Sequence, residues 1–232
     1  MDIVIEKEDR VLIVAPHQDD ETFGCGGLLA KYGPQCDVLL LTDGRLGNIE
    51  NFSSEEVLVE TRNRELDKAC KLSGVANCFR IDIRNEELSK ERKKVYGFNI
   101  REYSYIFLPN RKEDHPDHRV CYSIFSKMKR MQHASCQIYE YEVWTPLAMP
   151  SWFLDISDVI DKKKEMIKVY QSQINDKDYF KAIIGLNAYR GMYNNYAYSE
   201  AYKLSSYNEF SARLYNMLPE GLKDMIRKVL SK

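Results

Sequence analysis

Val11-Leu12-Ile13-Val14-Ala15-Pro16-His17-Gln18-Asp19-Asp20-Glu21 sets five unbroken apolar residues against a proline, a histidine and three carboxylates. A short apolar run closed by a breaker suits a strand buried on both faces, as in parallel sheets. The polar cluster then sits at that strand's carboxyl end. Working outwards, Asp37 to Thr42 reads as a second buried strand, Cys78 to Ile83 as a third, and Tyr105 to Leu108 as a fourth that stops at Pro109-Asn110. Helical patterns lie between them. One runs from Phe23 to Tyr32 and ends at Gly33-Pro34; another runs from Ser54 to Leu72, with Ser54 as cap, Val57, Leu58, Leu66, Ala69 and Cys70 as the stripe, and Gly74 as the stop. Alternating strands and helices predict an α/β fold, Rossmann-like, with a mostly parallel sheet and helices on both faces.

Beyond the fourth strand, Gln137 to Trp144 alternates polar and apolar residues, which predicts a less buried strand near an edge. Ser157 to Gln171 reads as a helix capped by Ser157 or Asp158, and 208–232 as an amphipathic helix interrupted at Pro219-Glu220-Gly221. At 232 residues and 44% hydrophobic content the chain can bury one substantial core, so a single domain over 1–232 is expected.

A formal net charge of −1 gives no overall attraction to nucleic acid or anionic membranes. The sixteen tyrosines read as packing rather than as a base-stacking platform. Six cysteines without a CxxC pair read as reduced thiols. The acidic start, MDIVIEKEDR, is not a signal peptide, and no segment approaches the roughly 18 apolar residues of a transmembrane span. A cytoplasmic location is expected.

Within ten residues of the fourth strand comes a second cluster, Asp114-His115-Pro116-Asp117-His118, so three of the four histidines fall in the two clusters. Crowded carboxylates repel one another unless a cation or proton lies between them. If the first cluster opens a helix, His17 and Asp20 are three residues apart and project to one side, while Asp19 points away by about a hundred degrees. One histidine of the second cluster would complete the two-histidine, one-carboxylate set of a catalytic zinc site; spacing leaves open whether it is His115 or His118. Such a metal brings the pKa of bound water down to about 7, and a carboxylate that is not a ligand can take the proton.

Singly, these residues have plainer readings. His17 could be satisfied at a strand end, Asp19 or Asp20 could cap a helix, and His115-Pro116-Asp117 could start one; it is the pairing of the clusters that argues for a site. His133 reads as a solvated residue at a helix end, and Arg62 with Glu65 as an ion pair on one helix, with contact to the active-site loop as the other role. Gly24-Cys25-Gly26-Gly27 comes too late after the first strand for a dinucleotide loop, and acids stand where the pyrophosphate would need backbone N–H groups.

The stretches PHQDDE at 16–21 and HPDH at 115–118 resemble the paired signatures of the LmbE-like, or PIG-L-like, metal-dependent N-deacetylases, whose first motif usually reads PHPDDE or AHPDDE. Thr42-Asp43-Gly44, Gly47, Arg62, Glu65, Tyr170-Gln171-Ser172-Gln173, Arg190 and Ala197 to Tyr202 fall in the order expected of that family. The resemblance covers about 11–205 and leaves 206–232 as a C-terminal helical extension. It implies His17, Asp20 and His118 as metal ligands, Asp19 as general base, His115 as an imidazolium donor to the oxyanion or the leaving amine, and Asp117 as the group that orients a histidine. Glu21 would brace the loop or a ligand. Gln18 departs from the usual proline and is not expected to ligate. For Arg190 the resemblance suggests a substrate hydroxyl or phosphate, with an internal salt bridge as the other role.

The activity so implied is that of a zinc-dependent hydrolase which removes the N-acetyl group from an N-acetylated amino sugar or glycoconjugate of the GlcNAc type. Ferrous iron suits the same ligand set. The expected partner is a small N-acetyl amino-sugar conjugate, with the aglycone and the oligomeric state left open. Two alternatives stand beside it: an amidase acting on a non-sugar N-acyl substrate, and a metal-dependent binding protein without turnover.

Overall fold

A computed structural model describes residues 2–174 and 178–205. The chain forms a seven-stranded sheet in the order β3-β2-β1-β4-β5-β7-β6. Its strands are β1 (Val11–Ala15), β2 (Cys36–Thr42), β3 (Asn77–Ile83), β4 (Tyr105–Pro109), β5 (Gln137–Tyr141), β6 (Trp152–Asp155) and β7 (Ser199–Leu204). The first five run parallel, with Val11 opposite Cys36 on one side and Tyr105 on the other, whereas β7 is antiparallel to both β5 and β6. The sheet is mostly parallel and mixed at one end.

Every residue of β1 is buried, and its side chains alternate between two cores. Val11, Ile13 and Ala15 face a core shared with α1 (Asp20–Tyr32), α2 (Glu55–Ser73) and α5 (Ile160–Ile167). Leu12 and Val14 face the other, shared with α3 (Leu88–Glu91) and α4 (Pro116–Met131). Helices α6 (Gln171–Ile174) and α7 (Tyr179–Met192) complete the described chain. Burial on both faces explains the unbroken apolar run that the sequence shows there.

Several expectations change. The strand at 137 is not near an edge: β5 lies between β4 and β7, with Ile138 to Tyr141 buried, and the edges are β3 and β6. Its polar members are tolerated because they are paired, Glu140 taking the Arg111 guanidinium. The helix expected over 157–171 is α5, shorter, with Val159 at its N-cap, followed by a turn into α6. Strands β6 and β7 were not anticipated. The helix expected over 208–232, and the extension 206–232, lie outside the described residues.

The chain leaves β1 for β2 and β3 on one side, then returns to place β4 on the other. Loops at the carboxyl ends of β1 and β4 therefore diverge and leave a crevice between them, the position where open α/β sheets bind ligands. Both clusters lie there.

Candidate metal centre

The first loop is fixed before it reaches its histidine. Thr42, at the end of β2, donates its N–H and hydroxyl to the Pro16 carbonyl at 3.0 and 2.8 Å. The His17 N–H donates to Asp20 Oδ2 at 2.9 Å, closing the turn that starts α1. Asp19, at the N-cap, has φ 120°, a conformation strained for any residue with a Cβ. Its N–H donates to Glu21 Oε2 at 3.1 Å, and Glu21 is held in turn by the Thr22 and Tyr170 hydroxyls. Tyr170 leaves the line of α5 to make that contact, so Glu21 braces the loop.

On α4, Pro116 starts the helix and His115 caps it, its Nδ1 accepting the Asp117 N–H at 3.2 Å. His118, one turn in, is completely buried. Three atoms then meet across the crevice. His17 Nδ1 lies 3.2 Å from His118 Nε2 and 3.2 Å from Asp20 Oδ2, and His118 Nε2 lies 3.1 Å from the same oxygen. That triangle is close to the face of a tetrahedron of bonds about 2.0–2.1 Å long, whose edges are roughly 3.3 Å. Two imidazole lone pairs and a carboxylate aimed at one point suit a divalent cation. His115 places a ring nitrogen within 4.8 Å of the other two histidines, but with Nδ1 committed to the helix cap only Nε2 remains for chemistry.

The surroundings set the protonation of each group. Asp117 Oδ2 faces His17 Nε2 at 3.3 Å and accepts the Glu86 N–H at 2.9 Å, an arrangement that keeps a proton on Nε2 and makes Nδ1 the nitrogen that would give up its proton to a metal. With no metal present, burial opposes charge on His17, yet the hydrogen bonds to Asp117 and Asp20 outweigh it and raise the ring to about 9. Burial works against ionising Asp20 as well, but His118 and His17 hold its carboxyl far below the usual range. Asp19 goes the other way: burial, with Asp20 and Glu21 beside it, pushes it well up against the opposing Arg62. His115 is pushed down to about 4 by burial and by its two histidine neighbours. Its cap bond leaves Nε2 as the nitrogen free to donate, and the depression runs against the imidazolium expected from the sequence.

Arg62 takes the second of the two roles expected for it, contact with the active-site loop. It does not pair with Glu65. Its guanidinium is buried and donates to the Gly44 and Gln18 carbonyls at 2.9 and 2.7 Å, and it lies 3.3 Å from Asp19 Oδ2. Glu65 instead accepts the N–H and hydroxyl of Ser172. Gln18 is fully buried and ties the loop to the Asp43 carbonyl and Asn63. Asn85 and Glu86, beside Asp117 and His17, were missed altogether; they sit in a loop after β3 with no motif to mark them.

Arg190 is brought to Glu142, with its Nε 3.2 Å from Oε2 and its Nη2 on Oε1 and on the Leu147 carbonyl. These contacts are those of the internal salt bridge, one of the two roles expected for Arg190. His133 is exposed just beyond α4, and all six cysteines are free thiols. An open groove of about 930 Å³ exposes His115 between Glu86, Lys112, Asp114, Trp144 and Thr145.

A model of the family described as "PIG-L: GlcNAc-PI de-N-acetylase" matches residues 12–129. Diacetylchitobiose deacetylase of Thermococcus kodakarensis is 27% identical over 190 residues, covering 71% of this chain and 70% of that protein. Probable N-acetyl-alpha-D-glucosaminyl L-malate deacetylase 2 of Bacillus subtilis is 26% identical over 186 residues, covering 72% and 84%. The solved structure of N,N'-diacetylchitobiose deacetylase from Pyrococcus horikoshii shares the fold with a TM-score of 0.74 at 22% identity, over 86% of this chain and 84% of that one.

Proposed function

This chain belongs to the PIG-L family, described as GlcNAc-PI de-N-acetylase, and on that premise we propose that it removes the acetyl group from the nitrogen of an N-acetylated amino sugar or its glycoconjugate, with zinc as cofactor. It is a hydrolase of the deacetylase class. The observation that carries the proposal is the triangle of His17 Nδ1, Asp20 Oδ2 and His118 Nε2 with edges of 3.1 to 3.2 Å, beside a buried carboxylate that is not part of it. Those three side chains would hold the metal; ferrous iron fits the same donors. Bound there, the metal supplies Lewis acidity to the acetyl carbonyl and to an attacking water.

The rest falls to the chain's own groups. Asp19, raised by burial, takes a proton from the attacking water as the C–O bond forms, a task that rewards a base titrating nearer to neutrality. His115 donates its Nε2 hydrogen bond to the carbonyl oxygen as it gains charge, from a ring held neutral by its surroundings. The nitrogen leaves with the proton relayed from Asp19, giving acetate and free amine. Asp117 keeps the Nδ1 lone pair of His17 aimed inward, and Arg62 keeps the carboxylate of Asp19 in place while anchoring the loop on which it stands.

Metal analysis paired with amine release from N-acetylglucosaminides tests this reading. His118→Ala should lose both metal and turnover. Asp19→Asn should retain metal and lose about 10²- to 10⁴-fold in kcat. Normal turnover by Asp19→Asn would overturn the assignment of the base, and full metal content in His118→Ala would overturn that of the ligands.

A further inference from the structure

The carboxylate of Asp117 stands on α4, but the groups around its Oδ2 come from elsewhere. They are the His17 ring at 3.3 Å, the Glu86 N–H at 2.9 Å and the Asn85 amide nitrogen at 3.4 Å. That amide nitrogen also stands 3.4 Å from His17 Nε2. The loop between β3 and α3 therefore sets where the His17 imidazole points, although it lies in neither polar cluster.

This loop needs holding. Glu86 has φ 68°, in the left-handed region that a residue with a Cβ resists, and such strain persists only where neighbours over-determine the backbone. The neighbour is Asp43, buried in the loop after β2. Its N–H donates to the Ile83 carbonyl at 2.9 Å and its Oδ1 accepts the Asn85 N–H at 3.1 Å, so the chain is gripped on both sides of Arg84. Asp43 is gripped in turn. Arg45 donates Nε and Nη2 to its Oδ2 at 2.7 and 2.6 Å, and reaches Glu55 at the start of α2 at 2.7 Å.

The negative charge of Asp43 is thus matched on the spot by Arg45, and what it passes inward is the position of a backbone. Resting on the metal centre described above, we propose that Asp43, anchored by Arg45, is a positioning residue of that centre. It fixes the Asn85-Glu86 turn, the turn fixes Asp117, and Asp117 aims His17 Nδ1 at the point shared with Asp20 and His118.

Zinc affinity of the full chain, measured by competition with a chelator, tests the proposal. Asp43→Ala should weaken zinc binding about 10- to 100-fold, the usual effect of losing a group that orients a ligand. Asp43→Asn keeps an oxygen for the Asn85 N–H while losing the charge, and should recover most of that loss. Glu86→Gly keeps its N–H and admits φ 68° freely, so it should bind zinc as the parent does. Arg45→Gln, at a half-buried position that tolerates exchange, should weaken zinc several-fold and serves where Asp43→Ala does not fold. A merely structural Asp43 would lower the urea midpoint of metal-free Asp43→Ala and leave the zinc constant of the folded protein unchanged, which would overturn the positioning role. Equal losses in Asp43→Asn and Asp43→Ala would overturn it too, because they would trace to charge and not to the held turn. A parent chain that bound no zinc would instead overturn the metal centre on which the proposal rests.

Discussion

Asp19 concentrates what the site demands of a single residue: φ 120° at a residue with a Cβ, a buried carboxyl, and anchors on each side from Glu21 and Arg62. Strain of this kind costs on the order of 1–3 kcal/mol and persists only where neighbours over-determine it. A base is active when deprotonated, so a raised pKa moves the acid limb of kcat/KM up from the ordinary carboxylate range. Activity should rise with pH through that limb, and a profile flat from about pH 5 to 9 would contradict Asp19 as the base. For His17 the folded-state value of about 9 exceeds the ordinary 6.5. The stability it contributes to metal-free protein is complete below pH 6.5 and is lost as pH climbs through 9. Thermal melts of chelator-treated protein should therefore fall across that window, and metal-loaded protein should not follow, because the metal takes the place of the proton. A metal-free melting temperature that rose from pH 6.5 to 9 would contradict the hydrogen-bonding described for His17. Both clusters were legible at this scale, since few other roles gather such residues; the downward push on His115 was not, because it depends on burial and on two histidines from elsewhere.

Among the elements, α1 shows how close packing replaces a phosphate loop. A Cβ on Gly24 would strike the Tyr141 ring, and one on Gly27 would run into Ile156 and approach Glu200. These glycines let the helix that carries Asp20 lie tightly against β5 and against the segments leading to α5 and β7. Gly27→Ala should destabilise by about 1–3 kcal/mol, read as a lower urea midpoint with an unchanged slope. An unchanged midpoint would mean that the contact yields freely. The same scale explains where pattern reading held and where it failed. The helix from Ser54 was plain because its ends carry their own chemistry: the Ser54 hydroxyl accepts the Val57 N–H and Gly74 adopts φ 80°. β5 resembled an edge strand only because its polar residues find partners inside the fold. β6 and β7 are short and antiparallel, and pair with each other across more than forty residues, so no local run announced them.

Over the whole molecule, the antiparallel end of the sheet is locked to the parallel part by a buried ion pair. Lys163, on α5, donates to Glu200 of β7 at 2.6 Å and to the Phe23 carbonyl of α1, while Glu200 also accepts the Gly27 and Leu28 N–H groups and the Tyr202 hydroxyl. Removing one member of such a pair leaves an uncompensated charge in the core. Lys163→Met should cost about 3–5 kcal/mol, with part of the loss recovered in the double variant Lys163→Met, Glu200→Gln. Equal stability of the single variant and the parent would show that the pair is not needed to dock β7. Among the described residues no helix is long and apolar enough to cross a membrane.

By itself the sequence determined the parallel α/β sheet and the two polar clusters, because buried strands and grouped carboxylates and imidazoles are local patterns with few alternative readings. Only the tertiary structure decided which nitrogen of each histidine faces the shared point, that Arg62 serves the loop of Asp19 and not its helical neighbour, and that Arg190 is spent on Glu142. Each of those outcomes depends on partners distant in sequence, and the direction of a side chain within a crevice is set by the packing of every element around it.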